Sequence, residues 1–212
     1  MLMSAWKTQH DLLDEWLLKR SEYMTILLEK EALPLGLWSC KCNSGYEARY
    51  VCTSCHGGTS YCQMCTVALH RKTPFHKIKR WNDAFLEDVT LSELGLVTYL
   101  NHHGTPCPTA SSILPLTAIH LNGIHAILIS YCQCQGSPTV DLQLFGSNLF
   151  PASTFCLKTT FTFKVLQNFR HHHLQGKISA YTYVQSLYRL TGDENLTETP
   201  VCIRVYQSSN VS

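Results

Sequence analysis

The chain has 212 residues, 45% of them apolar, which is enough for one or two domains with a packed core. Its 17 Lys and Arg against 15 Asp and Glu leave a formal charge of +2, so no protein-wide field draws it to nucleic acid or to a membrane. Any attraction to phosphate has to be local.

The predicted elements run as follows. Residues 5–32 read as an amphipathic helix, because Leu13, Trp16, Leu17, Met24, Leu27 and Leu28 recur at three- and four-residue steps. A role in core packing is expected of it, and Pro34 and Gly36 end it. Residues 83–100 read as short helices broken at Gly95, with Phe85, Leu86, Val89, Leu94, Val97 and Leu100 inward. Residues 101–115 read as an irregular connection rich in Pro and His. Leu116–Leu121 and Ile124–Tyr131 are β-rich runs around Asn122-Gly123, a strong hairpin signal. Helical spacing returns from Thr160, breaks at Gly176 and resumes over Ser179–Leu190, and residues 192–212 form a polar tail.

Eleven cysteines need a compartment. The N-terminus has no apolar signal core, and the longest aliphatic run, Ala126–Ile129, is too short to span a bilayer. The expectation is therefore an intracellular protein with reduced, metal-bound thiolates rather than disulfides, and the odd count agrees.

Eight of the candidate ligands fall between residues 40 and 76: Cys40, Cys42, Cys52, Cys55, Cys62, Cys65, His70 and His76. Three cysteine pairs and one histidine pair make two four-coordinate sites, because a C-x2-C turn sets two thiolates on one tetrahedral ion. Cys40-Lys41-Cys42 has a single spacer, so one of that pair is open to replacement by His56 or a water. Glu47 is the only carboxylate within the cluster, so the zinc is expected to be structural rather than catalytic.

A third set comes from His102, Cys107, Cys132 and Cys134, with His125 as the rival fourth ligand. An Asn-Gly hairpin would set His125 across from His120, on the face of Ile127, Ile129 and Tyr131, while Cys132 and Cys134 extend the opposite face; that favours His102. The alternative is that these are buried thiols at a strand end. Cys156 and Cys202 read as plain thiols, and His171, His172 and His173 diverge on a helix and do not chelate together.

Arg71, Lys72, Lys77, Lys79 and Arg80 lie within ten residues, interleaved with Phe75 and Trp81. They form a candidate phosphate-contacting edge, or else a solvated face. No glycine-rich phosphate loop, G-x-S-x-G or H-E-x-x-H motif is present, and no enzyme is expected.

The order of ligands from Cys40 resembles B-box zinc fingers. That resemblance implies cross-bracing: Cys40, Cys42, Cys62 and Cys65 on one ion, Cys52, Cys55, His70 and His76 on the other. Over roughly residues 10–190 the chain also resembles the CxC-type (second class) cysteine-cluster domains found beside KDZ transposases in fungal transposable elements. The matching pieces include Trp16 with Lys19-Arg20, Tyr50-x-Cys52-x2-Cys55, Cys62-x2-Cys65 with His70-Arg71, Pro74-Phe75-His76-Lys77-Ile78, Leu94-Gly95-Leu96, Cys107-Pro108, Asn122-Gly123-Ile124-His125, Cys132-x-Cys134, Leu149-Phe150-Pro151-Ala152 and Gln175-Gly176-Lys177-Ile178-Ser179. The resemblance implies zinc binding, a nuclear location, and a partner that is DNA, chromatin or the transposase, with no small-molecule substrate; the ligand sets themselves give two zinc ions, and a third where His102, Cys107, Cys132 and Cys134 join. The chain departs from the family's usual C-x2-C at Cys40-x-Cys42. Ending at Ser212, before any transposase core, the chain is expected to be a truncated element or a free-standing remnant. The fold expected is α+β: helix 1–36, a B-box-like double zinc cluster 37–82, an α+β domain 83–191 and the tail 192–212.

Overall fold

The computed structural model describes residues 8–31, 39–42, 44–109 and 112–191. Cys202 and the predicted tail lie outside them. Helix α1 spans Gln9–Glu31. It starts on a capping box: the Thr8 N–H and hydroxyl donate to the Asp11 carboxylate at 2.8 and 2.7 Å, and the Asp11 N–H returns a bond to Thr8. These bonds, the hydroxyl's first, lower the Asp11 pKa. The apolar stripe is there, but Leu13, Trp16, Leu17, Met24, Leu27 and Leu28 are all exposed, so the core-packing role is not met. Arg20 sits in the middle of that stripe, while Leu18 and Ile26 fall outside it, so no clean apolar seam is offered to a core.

The cysteine-rich segment builds a four-stranded antiparallel sheet from β1 (Tyr50–Cys52), β2 (Ser60–Tyr61), β3 (Ile78–Trp81) and β4 (Leu86–Val89), in the order β2-β1-β3-β4. Helix α2 (Gln63–Leu69) lies between β2 and β3 in the chain. The sheet runs past residue 82, and this corrects the helices expected over 83–100. Leu86-Glu87-Asp88-Val89 pairs residue by residue with β3, from Trp81↔Leu86 to Ile78↔Val89. Only a single tight turn follows. Thr90 and Glu93 exchange capping-box bonds of 2.8 and 3.2 Å, and Gly95, at φ +91°, ends the turn as predicted. Phe85, expected inward, is exposed.

The second sheet comprises β5 (Val97–Tyr99), β6 (Ser112–His120), β7 (Gly123–Tyr131), β8 (Leu149–Pro151) and β9 (Thr159–Thr162), ordered β5-β7-β6-β9-β8. Residues 112–115, expected to be irregular, begin β6. Pro115 is tolerated there because β9 pairs with β6 only from Thr117 onward. Helix α3 (Val140–Gly146) contributes Leu144 to one face, where Leu116, Ala118, Ile127 and Ile129 are buried. Helices α4 (Phe163–Gly176) and α5 (Ala180–Thr191) cover the other face, Val165, Tyr183 and Leu187 packing on Ile119. The helix expected from Thr160 begins three residues later. Thr160 and Thr162 are β-branched and buried in β9, and Thr162 then caps α4 by accepting from the Val165 N–H at 3.3 Å.

The hairpin forms as predicted, but its register is shifted. His120 pairs with Gly123 and Ala118 with His125, so Leu121-Asn122 makes the turn. Gly123 has φ +133°, a conformation that residues with a side chain rarely adopt, and a Cβ there would lie 3.0 Å from the Thr191 hydroxyl and 3.4 Å from its Cα at the end of α5. Gly123→Ala is expected to cost about 1–3 kcal/mol through backbone strain and this close approach, read as a lower thermal midpoint.

The two sheets are joined. Phe75 stacks on His120 at 4.6 Å and meets His125 edge-on at 5.6 Å; the Asn122 amide donates to the Phe75 carbonyl at 2.7 Å. Burial first of all pushes His120 and His125 down to about 4, so both rings are neutral in this interface near pH 7. Below the first sheet, Leu91, Leu94 and Leu96 share a core with Cys52 and Ile78.

Candidate metal centres

Among the described residues, twelve side chains converge in three groups of four, each group with its ligand atoms within 4.8 Å of one another. The first group is Cys40, Cys42, Cys62 and Cys65; the second Cys52, Cys55, His70 and His76; the third His102, Cys107, Cys132 and Cys134. The grouping is the one set out from the sequence, with Cys40 and Cys42 together in the first. His56 and His125, the rival ligands, belong to none. His125 Nε2 instead bonds the Asn122 side-chain oxygen, Oδ1, at 2.8 Å.

At the first centre, a loop from Ser39 to Glu47 is closed by a strand bridge and by the Cys40 N–H donating to the Tyr46 carbonyl at 3.1 Å. This fold-back presents both thiols of Cys40-x-Cys42 without a two-residue knuckle. Cys62 precedes α2 and Cys65 lies in its first turn, three residues on and so on the same side. The Cys42 and Cys62 sulfurs are 3.8 Å apart. Cys40, Ala48 and Cys62 are buried together, a core too small to hold the loop alone.

The second centre uses the other end of α2. His70 is buried and follows the helix; its Nδ1–H donates to the Thr66 carbonyl at 2.7 Å, leaving the Nε2 lone pair 3.5 Å from Cys55 Sγ. His76 turns Nδ1 toward Cys52 and Cys55, at 3.5 and 3.3 Å. Thr66, also buried, returns its hydroxyl to the Cys62 carbonyl at 2.9 Å. One seven-residue helix therefore carries Cys65 to the first centre and leads into His70 at the second.

The third centre sits at one end of the five-stranded sheet. β5 and β7 are parallel neighbours, so the loops that leave them, carrying His102 and Cys132-x-Cys134, emerge on the same side. His102 Nε2 is 3.1 Å from Cys132 Sγ and 3.8 Å from Cys134 Sγ; Cys107 Sγ is 3.7 and 3.6 Å from the same two sulfurs. His102 adopts φ +53°, a left-handed conformation that aims its ring at the sulfurs. The Cys134 N–H points at Cys132 Sγ at 3.3 Å.

Gln143, on α3, holds this centre from behind. Its carbonyl oxygen accepts from the Asn101 amide and the Cys132 N–H at 2.7 and 2.8 Å; its NH2 donates to the Cys132 and Pro138 carbonyls at 2.9 and 2.7 Å. Sequence reasoning passed over it. The one available signal was a polar residue inside the apolar run Leu142 to Phe145.

The spacings fit a tetrahedral ion. Bonds of about 2.3 Å to sulfur and about 2.0–2.1 Å to nitrogen separate neighbouring ligands by about 3.7 Å (S···S) and about 3.5 Å (S···N). The same distances exclude disulfides, whose sulfurs lie about 2.05 Å apart. The electrostatics agree. A hydrogen bond from Ser44 holds Cys42 down at about 6, and one from Thr109 holds Cys107 at about 6. Cys65, crowded first by Cys42 and then by Cys62, is pushed up to about 12. Burial raises Cys52 and lowers His76. Thiols packed this closely cannot all ionise without a cation among them.

The candidate nucleic-acid residues do not form one free edge. Arg80 pairs with Glu87 across the sheet, its Nε 2.7 Å from Oε1. Lys79 stands opposite Asp88, and the Lys77 ammonium donates to the Leu190 carbonyl. Of the five, Arg71 and Lys72 at the tip after α2 and Arg80 on its strand are exposed, and Lys77 and Lys79 are half-buried. Cys156 is exposed, and the three adjacent histidines lie on an exposed stretch of α4.

An α+β frame with three Cys/His sets at tetrahedral spacing defines a cysteine-cluster protein arranged to hold metal. Residues 91–195 match the family described as CxC2 like cysteine cluster associated with KDZ transposases. The third centre lies wholly inside the matched residues, and the first two precede them. No curated protein and no solved structure matches the chain. No helix among the described residues is long and apolar enough to cross a membrane.

Proposed function

We propose that the chain is a non-enzymatic, zinc-built accessory module that acts by binding duplex DNA, in the nucleus, alongside a KDZ-type transposase. One observation carries the non-catalytic part: each set offers four ligand atoms, so a bound ion has a filled tetrahedral shell and no position for a substrate or a reactive water. No carboxylate of the described residues belongs to any set. Thiolate and imidazole donors in four-coordinate geometry favour zinc over magnesium or calcium. The helix shared by the first two centres supports the B-box-like, cross-braced reading of residues 39–81.

The DNA part rests on the family's association with transposases and on the chain's local basic surface. Its test is direct: the zinc-loaded chain should bind a labelled duplex with an affinity that falls steeply as salt rises, and salt-insensitive or absent binding contradicts it. A second reading, a protein-interaction module, is favoured by α1, whose Leu13, Trp16, Leu17 and Leu28 stand exposed. Capture of a transposase that is lost on deleting residues 1–31, and kept on reversing the charges of Lys77, Lys79 and Arg80, would select it.

A further inference from the structure

We propose that the DNA-contacting surface is the outer face of α4 and α5, and that the Arg71–Arg80 run is not; this rests on the DNA reading above. Residues 142–192 contain five of the chain's 17 Lys and Arg and none of its 15 Asp and Glu. The packing of Val165, Phe169, Tyr183 and Leu187 on Ile119 turns the remaining sides of the two helices outward. Lys164, Gln167, Arg170 and His171 are exposed along α4, Lys177 in the connection, and Thr182 and Arg189 on α5. Among the described residues, ion pairs engage Lys19, Arg49 and Arg80, and none of the four helix-pair cations Lys164, Arg170, Lys177 and Arg189. In the zinc-module run Arg80 and Lys77 are already satisfied within the fold, which leaves Arg71, Lys72 and Lys79.

The chemistry of this face fits a duplex. Lys164 to Lys177 spans about 20 Å at 1.5 Å per residue, enough to reach across a major groove about 12 Å wide. Gln167 and Thr182 add hydrogen-bonding groups of the kind that contact phosphates and base edges. A protein partner would need an apolar centre, and single-stranded nucleic acid an aromatic platform. Leu174, Leu190 and Tyr181 are the only large apolar side chains exposed here.

The test is anisotropy of a labelled random-sequence duplex of about 20 base pairs against the zinc-loaded full chain across a salt series. Four phosphate contacts give a log–log slope of roughly −3 to −4, which is about a hundredfold loss between 50 and 200 mM salt. Lys164→Gln, Arg170→Gln, Lys177→Gln and Arg189→Gln together should flatten that slope almost to zero. Arg71→Gln, Lys72→Gln and Lys79→Gln together should leave affinity within about twofold, their charges lying off the contact. All seven positions are at the surface, and an unchanged zinc content checks the fold. Should the fourfold variant fail to fold, Arg170→Gln with Arg189→Gln should remove about half the slope. Loss of binding in the second set and not the first overturns the location and leaves the DNA reading standing. A wild-type chain without salt-dependent binding overturns both, and tighter binding to single strands or RNA overturns the choice of a duplex.

Discussion

His70→Ala is expected to release metal and to unfold residues 39–81 while the five-stranded sheet stays intact. The ring is 2% exposed, ends α2, and is held by the Thr66 carbonyl with its free nitrogen on Cys55. Removing it opens one corner of the second centre and leaves a cavity. Because the same helix carries Cys65, the first centre loses its geometry as well. Ions at sites of this kind supply about 10–16 kcal/mol in isolated zinc modules, more than the small clusters around Cys40 and Cys52 could replace. Hydrogen exchange should rise across residues 39–81 and remain slow at Ile119, Ile129 and Leu187, with metal content falling below three per chain. His56→Ala, a histidine outside all three sets, should change neither. Unaltered metal content and exchange in His70→Ala would remove the second centre from the account.

Gln143→Leu is expected to be the most damaging single change outside the twelve candidate ligands. Gln143 is 3% exposed and satisfies four partners at once: the Asn101 amide, both backbone groups of Cys132 and the Pro138 carbonyl. Leucine fills the space and leaves the Asn101 amide, the Cys132 N–H and the Pro138 carbonyl without that partner, while the Cys132 carbonyl keeps the Ser137 hydroxyl at 3.2 Å. Buried groups orphaned in this way cost about 1–3 kcal/mol each, and because they are not additive a total of about 3–5 kcal/mol is reasonable. For a domain of roughly 100 residues that lowers the thermal midpoint by 10 °C or more. The third centre should also bind metal more weakly, since Cys132 and the Asn101–His102 corner lose their common brace. Gln143→Glu keeps the shape and the acceptors but loses both donors and buries a charge, so it should rescue nothing. A midpoint within about 1 °C of wild type for Gln143→Leu would show that the brace is not needed.

The ligand sets were legible because their spacing is local. C-x2-C, His70-x5-His76 and Cys132-x-Cys134 are read along the chain, and the structure brings those residues together. What joins them was not legible. The sequence shows no sign that α2 serves two centres or that Gln143 backs the third, because both depend on where distant segments cross. Strand pairing overrode local propensity at Leu86–Val89, where partners on β3 turned a helical expectation into a strand. Thr159–Thr162 behaved likewise, running as a strand between β6 and β8 before α4 starts. The Asn122-Gly123 signal located the hairpin, but the approach of Thr191 to Gly123 accompanies a turn one residue earlier than expected, which moves the partner of His125 by two residues, from His120 to Ala118. For α1 the periodicity was readable and its partner was not: an apolar stripe does not say whether it faces a core or a second molecule.

Native mass spectrometry of the full chain, before and after a strong chelator, tests most directly whether metal ions do here what packed side chains do elsewhere. Three zinc ions per chain are expected, one for each Cys/His set, with a shift to the highly charged ions of an opened chain once they are withdrawn. A chain that carries no zinc, or that keeps its compact charge states after complete removal, would contradict it.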